Sequence, residues 1–363
     1  MHNISVFYLS DMPHSSQILT GFHLLGKKSG YAVTINSGLS GAFGLAPFPA
    51  AVLVLYRGKK LLYDTADGYH DPEQMKNLLE NCDFYFKRSF SSEMNQQFFP
   101  HDAHKVYPLG FNYHVTYPGS PLNIYKTLRR RIRAYLTPCF TPKAFEGKPM
   151  HADSPCRILF YTRLWPQSPD LSDRMNSELN KINATRIDIL RRLKQKFGNS
   201  LWGGVEDSPV ARALCPDLIL PRKATRRYAY LQRLHRSHIC IGSTGLHGSI
   251  GWKTGEYIAA AKAVVCEKPV YSVPGQLPFL TYETAEECIQ AVERLVSDPS
   301  LRRRMQEEGQ QYYQTHLRPE QMIANTLNIV DASMDAYPHR RFSLSKRSCL
   351  KMNETALFRQ KQL

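Results

Sequence analysis

Residues 238–267, HICIGSTGLHGSIGWKTGEYIAAAKAVVCE, restrict the fold more than any other part of the chain. Two apolar runs, HICIG and AVVCE, flank a glycine-rich segment and a helical stretch of small residues. Strand, turn, helix and strand in that order predict an α/β layer around a mostly parallel sheet. Glycines 242, 245, 248, 251 and 255 lie between the strand's carboxyl end and the helix N-terminus. In such a turn backbone N–H groups can approach a phosphate, and the helix dipole favours its negative charge. Ala259, Ala260 and Ala261 suggest close backbone packing rather than ordinary core filling. Glu256, in the first helical turn, is placed to accept from ribose hydroxyls; an exposed acid near a helix start is the plainer alternative.

The same alternation runs along the chain. NISVFYLS is a strand, and SSQILTGFHLLGKKSG a helix with Ser15 or Ser16 as N-cap and Gly30 as its stop. AAVLVLYRGKKLLYDTAD reads as a hairpin turning at Arg57-Gly58, PEQMKNLLENC as a helix, and DFYFKRSF and HKVYPLGFNYHV as strands. Prolines 118, 121, 138, 142, 149 and 155 then mark a connector. Within it IYKTLRRRIRAYL, residues 124–136, reads as a basic amphipathic helix that either lies on an anionic membrane surface or packs its Ile/Leu stripe on the domain. A second series follows: strand CRILFYTRLW, helix ATRIDILRRLKQKFG, strand PDLILP, helix RRYAYLQRLHRS, the opening segment, and the long helical stretch from AEEC to YYQ. The expected divisions are 1–117, a basic connector 118–155, 156–336, and a basic tail 337–363.

With 363 residues and a formal charge of +16, the chain calls for a polyanionic partner: nucleic acid, an anionic membrane, or a phosphate-bearing substrate. No helix-turn-helix, RNP, KH or zinc pattern supports specific nucleic-acid binding. Neither a signal peptide nor 18 uninterrupted apolar residues is found, so a cytoplasmic protein, peripheral on the membrane if 124–136 binds it, is expected. The eight cysteines form no CxxC pair and read as reduced structural thiols. GLHGSIGWKT approaches a Walker A loop, but Trp252 separates the last glycine from Lys253 and the register fails. A P-loop-like hydrolase and a nucleic-acid-binding protein stay open as alternatives.

The segment from YAYLQRL to VVCEKP resembles the donor-binding half of GT-B glycosyltransferases, in the family 1 and 4-like group that includes spore-maturation-type proteins. Lys253, Glu256, Tyr257, Ala259, Lys262, Ala263, Val264 and Val265 match that group's helix pattern, with Ala261 where the family usually has Gly. RILFYTRLWP resembles the first donor-domain strand, whose arginine contacts the diphosphate; that role falls to Arg163. VYPLGFNY resembles the turn that ends the acceptor domain. The resemblance implies an α/β GT-B fold, two Rossmann-like doubly wound domains facing across a cleft, and a glycosyltransferase of polysaccharide biosynthesis. The substrate would be a nucleotide-sugar, the acceptor a glycan or lipid-linked glycan, with no further cofactor.

The implied donor-binding set is Arg163, Ser243, Gly245, His247, Gly248, Ser249, Lys253, Glu256 and Tyr257. The family's acid at position 248 is Gly248 here, so His247 or Ser249 would supply that contact. The lysine expected after Arg163 is missing, and Arg222 or Lys223 would replace it. No Asp-x-Asp occurs anywhere, so no metal is expected. In the first series DTADGYHD and YFKRSF place Asp67, His70, Lys87 and Arg88 at strand ends, on the acceptor side. Should the reaction invert the anomeric centre, Asp67, His70 or His114 would be the base. A Glu256→Ala variant is expected to lose donor binding while leaving the fold intact.

Overall fold

The computed structural model describes residues 2–8, 13–28, 30–38, 50–69, 71–122, 140–151 and 154–335. The 124–136 segment, the 337–363 tail and His70 lie outside them. Met1–Thr326 form one compact unit, which holds both sheets. Of the second, Leu327–Leu363, the described part is the end of the last helix.

The first sheet contains β1 (His2–Tyr8), β2 (Tyr31–Ser37), β3 (Ala51–Tyr56), β4 (Lys59–Asp64), β5 (Phe84–Lys87) and β6 (Val106–Pro108), in the order β2-β1-β3-β4-β5-β6. Helices α1 (Ser16–Gly26), α2 (Pro72–Glu80) and α3 (Ser92–Phe98) accompany it. Arg57 and Gly58 both take positive φ, 50° and 77°, as a two-residue hairpin turn requires. That hairpin makes the sheet mixed, because β3 runs antiparallel to both β1 and β4, while the other pairings are parallel. Strand β2 gave no clear signal: it is an edge strand, with Thr34, Asn36 and Ser37 on a surface that is mostly exposed or half-buried.

The second sheet is parallel throughout: β7 (Ile158–Thr162), β8 (Leu201–Val205), β9 (Ile239–Gly242), β10 (Ala263–Glu267) and β11 (Leu280–Tyr282), ordered β11-β10-β9-β7-β8. Around it lie α4 (Pro142–Phe145), α5 (Asp173–Phe197), α6 (Pro209–Leu214), α7 (Arg227–Arg236), α8 (Trp252–Ala259), α9 (Ala285–Ser297), α10 (Pro299–Tyr312) and α11 (Pro319–Asp335). Both faces are buried, which explains the continuous apolar runs. Leu159, Cys240 and Val264 face a core with Tyr230 and Ile258, whereas Ile158, Ile239 and Val265 face one with Leu190 and Val292.

Two expectations change here. PDLILP is not a strand: Pro216–Leu218 form a 3-10 turn and only Ile219 bridges, to Val205. The strand beside β7 is LWGGV, disguised by Gly203 and Gly204. A Cβ on Gly204 would lie 2.6 Å from the Leu218 carbonyl oxygen, so close approach requires the glycine. The closing helical stretch is two helices, parted where the Asp298 side chain accepts from Leu301 N–H and Pro299 starts the next.

Helix α8 sits as close to its neighbours as its small residues imply. A Cβ on Gly255 would come 3.1 Å from Tyr113 Cβ and 3.3 Å from the Asn112 carbonyl oxygen. Gly255→Ala is therefore expected to cost about 1–3 kcal/mol through overpacking, read as a lower midpoint in urea at unchanged slope. The helix ends at Ala259, and Ala261 takes φ of 53°, a left-handed conformation that glycine adopts more readily.

Candidate functional site

In the second sheet the chain order reverses between β7 and β9, and their ladder stops after Ile158↔Ile239 and Leu159↔Cys240. Open α/β sheets bind ligands in the crevice beyond such a point. A cavity of about 560 Å³ occupies it, lined by Arg163 after β7, Ser243, Gly245 and Ser249 after β9, and Lys253 and Glu256 on α8.

Glu256 is 4% exposed. Its Oε1 accepts from both Arg227 Nη atoms, at 3.0 and 3.1 Å, and its Oε2 accepts from the Tyr230 hydroxyl at 2.5 Å. Burial alone would raise the carboxyl pKa, but Arg227, Lys253 and the hydrogen bonds outweigh it and hold Glu256 below its ordinary range. The Tyr230 phenol is pushed far up by burial and by Glu256, so it remains a neutral donor. Arg227 also lies over the Phe140 and Phe145 rings, 4.6 Å from each centroid.

Lys253 places its ammonium 4.2 Å from the centroid of Tyr230. Burial lowers its pKa, opposed chiefly by Glu256. Among the described residues no side chain caps the N-terminus of α8. The exposed Arg163 stacks on Trp165, guanidinium to ring centroid 3.9 Å. Arg163 and Lys253 have no ion-pair partner among the described residues. The other arginine–carboxylate pairs at the cavity, Arg88 with Asp67 and Arg227 with Glu256, are matched.

The first sheet supplies the opposite wall. Arg88, 5% exposed, is ion-paired through Nη1 with Asp67 Oδ1 at 2.8 Å and donates from Nη2 to the Ile250 carbonyl at 2.7 Å, tying this sheet to the loop before α8. Its neighbour Lys87 points elsewhere, as alternate strand residues do. Lys87 is fully buried against Asp64, 2.7 Å away, and does not line the cavity. His114 lies 5.6 Å from the Trp252 ring, and its buried Nε2 has no hydrogen-bond partner among the described residues. Burial, then Arg227, lowers its pKa to about 4, so the ring is neutral at pH 7 but a weak base.

The cavity thus gathers Asp67, Arg88, His114, Arg163, Ser243, Gly245, Ser249, Lys253 and Glu256. Arg222 and Lys223 are exposed outside its lining, and Tyr257 is buried in the core. His247 and Gly248 also fall outside the lining, and both take positive φ, 56° and 67°. A Cβ at 248 would meet Val270 Cγ2 at 2.8 Å, and the positive φ there favours glycine. Arg227, Tyr230, Trp165 and Arg186 went unnoticed in the sequence. Arg227 and Tyr230 do share a helix face at i, i+3, but nothing local separates Arg227 from Arg226. Among the described residues no three His, Cys, Asp or Glu side chains converge as a metal site would need, and no helix is long and apolar enough to cross a membrane.

Histidine titration gives a test of this burial. His114 and His238 are both lowered, from 6.5 to about 4, chiefly by burial. Below pH 6.5 the unfolded chain binds protons that the folded protein refuses until about pH 4. Stability should be full above pH 6.5 and fall towards pH 4, and His114→Asn should flatten that limb in Tm measured against pH.

No family model matches the sequence, and no curated protein does. Solved structures match at low identity. The C-terminal domain of the glycosyl transferase group 1 family protein LpcC from Francisella tularensis is 12% identical over 48% of this chain and 96% of that one, TM-score 0.34. Alr3699/HepE of Anabaena, in complex with UDP, is 12% identical over 91% and 100%, TM-score 0.41. The accessory secretory protein 1, 2 and 3 structure from Streptococcus pneumoniae is 9% identical over 91% of this chain, TM-score 0.43; the chain spans 53% of that one.

Proposed function

We propose that the chain is a glycosyltransferase that moves a sugar from a nucleotide-sugar to a glycan or lipid-linked acceptor, without a metal. One observation carries the reading: Arg163 and Lys253, cations without an ion-pair partner among the described residues, line one cavity at a topological switch point beside the N-terminus of α8. Such a place suits a diphosphate. As the bond to the sugar breaks, charge grows on the leaving diphosphate. Fixed cations and helix N–H groups then stabilise that transition state without reorganising.

Glu256 contributes by fixing Arg227 and Tyr230, with one lone-pair site on Oε2 left for a ribose hydroxyl. Asp67 and His114, on the facing wall, are the candidates for orienting or deprotonating the acceptor hydroxyl. The resemblance of the helix pattern around Lys253 and Glu256 supports the same reading, and the cytoplasm would supply its activated sugar.

Thermal shift against UDP, GDP, CMP and ADP and their sugars, with EDTA present, tests the proposal. Stabilisation of about 2.7 kcal/mol is expected at 100 times the Kd of the preferred nucleotide. Stabilisation by ATP alone, and only with magnesium, would instead favour a nucleotide hydrolase.

A further inference from the structure

Helix α5 carries polar side chains into the core that the proposed chemistry leaves unused. Asn183 is 3% exposed and Arg186 6%. Burying an amide and a guanidinium is costly unless each is hydrogen-bonded, and both are. Asn183 Oδ1 accepts from Trp165 N–H at 2.9 Å, and its Nδ2 donates to the Trp165 carbonyl at 2.9 Å. One side chain therefore holds both backbone groups of one loop residue. Arg186 donates from Nη1 to the Arg163 carbonyl at 2.8 Å, from Nη2 to the Thr244 carbonyl at 2.8 Å, and from Nε to Ser243 Oγ at 3.1 Å. Further up the helix, Glu178 Oε1 accepts from His247 N–H at 2.5 Å.

These contacts divide by loop. Arg163 and Trp165 follow β7, whereas Ser243, Thr244 and His247 follow β9. The two strands part below the loops, and among the described residues no backbone hydrogen bond joins 163–165 to 243–247. Arg186 spans the gap, and its i, i+3 neighbour Asn183 steadies Trp165 on the same helix face. The Trp165 ring in turn carries the Arg163 guanidinium. Arg186 does this as a buried cation whose pKa is lowered to about 10, chiefly by burial.

We infer that Asn183 and Arg186 are positioning residues that hold the loops at 163–165 and 243–247 at a fixed separation, so that both walls of the crevice meet a diphosphate already arranged. The inference rests on the donor reading above. Fixing the walls beforehand removes the ordering cost from binding. A lysine at 186 would keep the charge but lose the planar fork that reaches both loops.

The test uses the full chain, with inorganic pyrophosphate as calorimetric probe and amide hydrogen exchange as a second readout. Arg186→Lys should weaken pyrophosphate at least tenfold and speed exchange in both loops together. Asn183→Ala should weaken pyrophosphate and speed exchange at 163–165. Arg192→Ala, on the exposed face of α5, should change neither. Unchanged pyrophosphate affinity in Arg186→Lys overturns the inference, as does faster exchange in one loop only. Should Arg186→Lys not fold, unchanged exchange at 163–165 in Asn183→Ala overturns it. If the wild-type chain binds no pyrophosphate, the donor reading falls; exchange still decides whether α5 fixes the loops.

Discussion

Lys253→Met should transfer sugar about 10²–10³ times more slowly than the wild type while melting no lower. Both halves follow from the same geometry. Lys253 has no ion pair among the described residues; its ammonium lies over the Tyr230 ring, and burial depresses its pKa. Replacing a desolvated, unpaired charge with an apolar chain of similar volume is neutral or stabilising, because the penalty for burying the charge disappears. Glu256 keeps Arg227 and Tyr230 as partners, so no carboxylate is orphaned. The bound diphosphate is already anionic and gains further negative charge as it leaves, so KM should rise and kcat should carry the larger defect. Transfer at the wild-type rate would remove Lys253 from the chemistry, and a lower Tm with unaltered kcat would make it a structural residue. Arg163→Met should behave similarly, since the guanidinium it removes is exposed.

Legibility in the sequence followed the range of the interaction. The glycine loop and α8 could be read because a strand, a turn and a small-residue helix are local patterns, and Gly255 and Ala261 sit where close approach and left-handed φ occur. The pair Lys87 and Arg88 could not be divided from sequence alone. Adjacent strand residues face opposite ways, and only the sheet's orientation decides which reaches the cavity. Gly203 and Gly204 hid β8, since glycine carries no β-propensity and the demand for it comes from Leu218, distant in the chain. Asn183 and Arg186 are invisible for another reason. In a 25-residue helix containing Arg174, Arg191 and Arg192, a buried arginine carries the same letter as a solvated one. Its role comes from carbonyls at 163 and 244 that only folding brings near.

Glu256→Ala should destabilise the protein by about 3–5 kcal/mol, contrary to the expectation of an intact fold. In the sequence, Glu256 is an acid placed to accept from ribose hydroxyls; in the structure it is 4% exposed and already holds Arg227 and Tyr230. Alanine would remove the carboxylate that a largely buried guanidinium and a buried phenol donate to. Glu256→Gln separates the two roles. Its amide can still accept from Arg227 and donate to the Tyr230 oxygen, so it loses the charge but keeps the geometry, at a cost of about 1–2 kcal/mol. Because the folded pKa of Glu256 lies below 4.5, its ion pair stabilises the protein above that pH and is lost as acid protonates it. Wild type and Glu256→Gln should therefore converge in Tm below pH 4.5 and diverge above it. If Glu256→Ala keeps the wild-type Tm yet binds no nucleotide, the carboxylate serves the ligand alone. If it unfolds at low urea while Glu256→Gln stays folded and binds nucleotide normally, Glu256 shapes the site only through Arg227 and Tyr230.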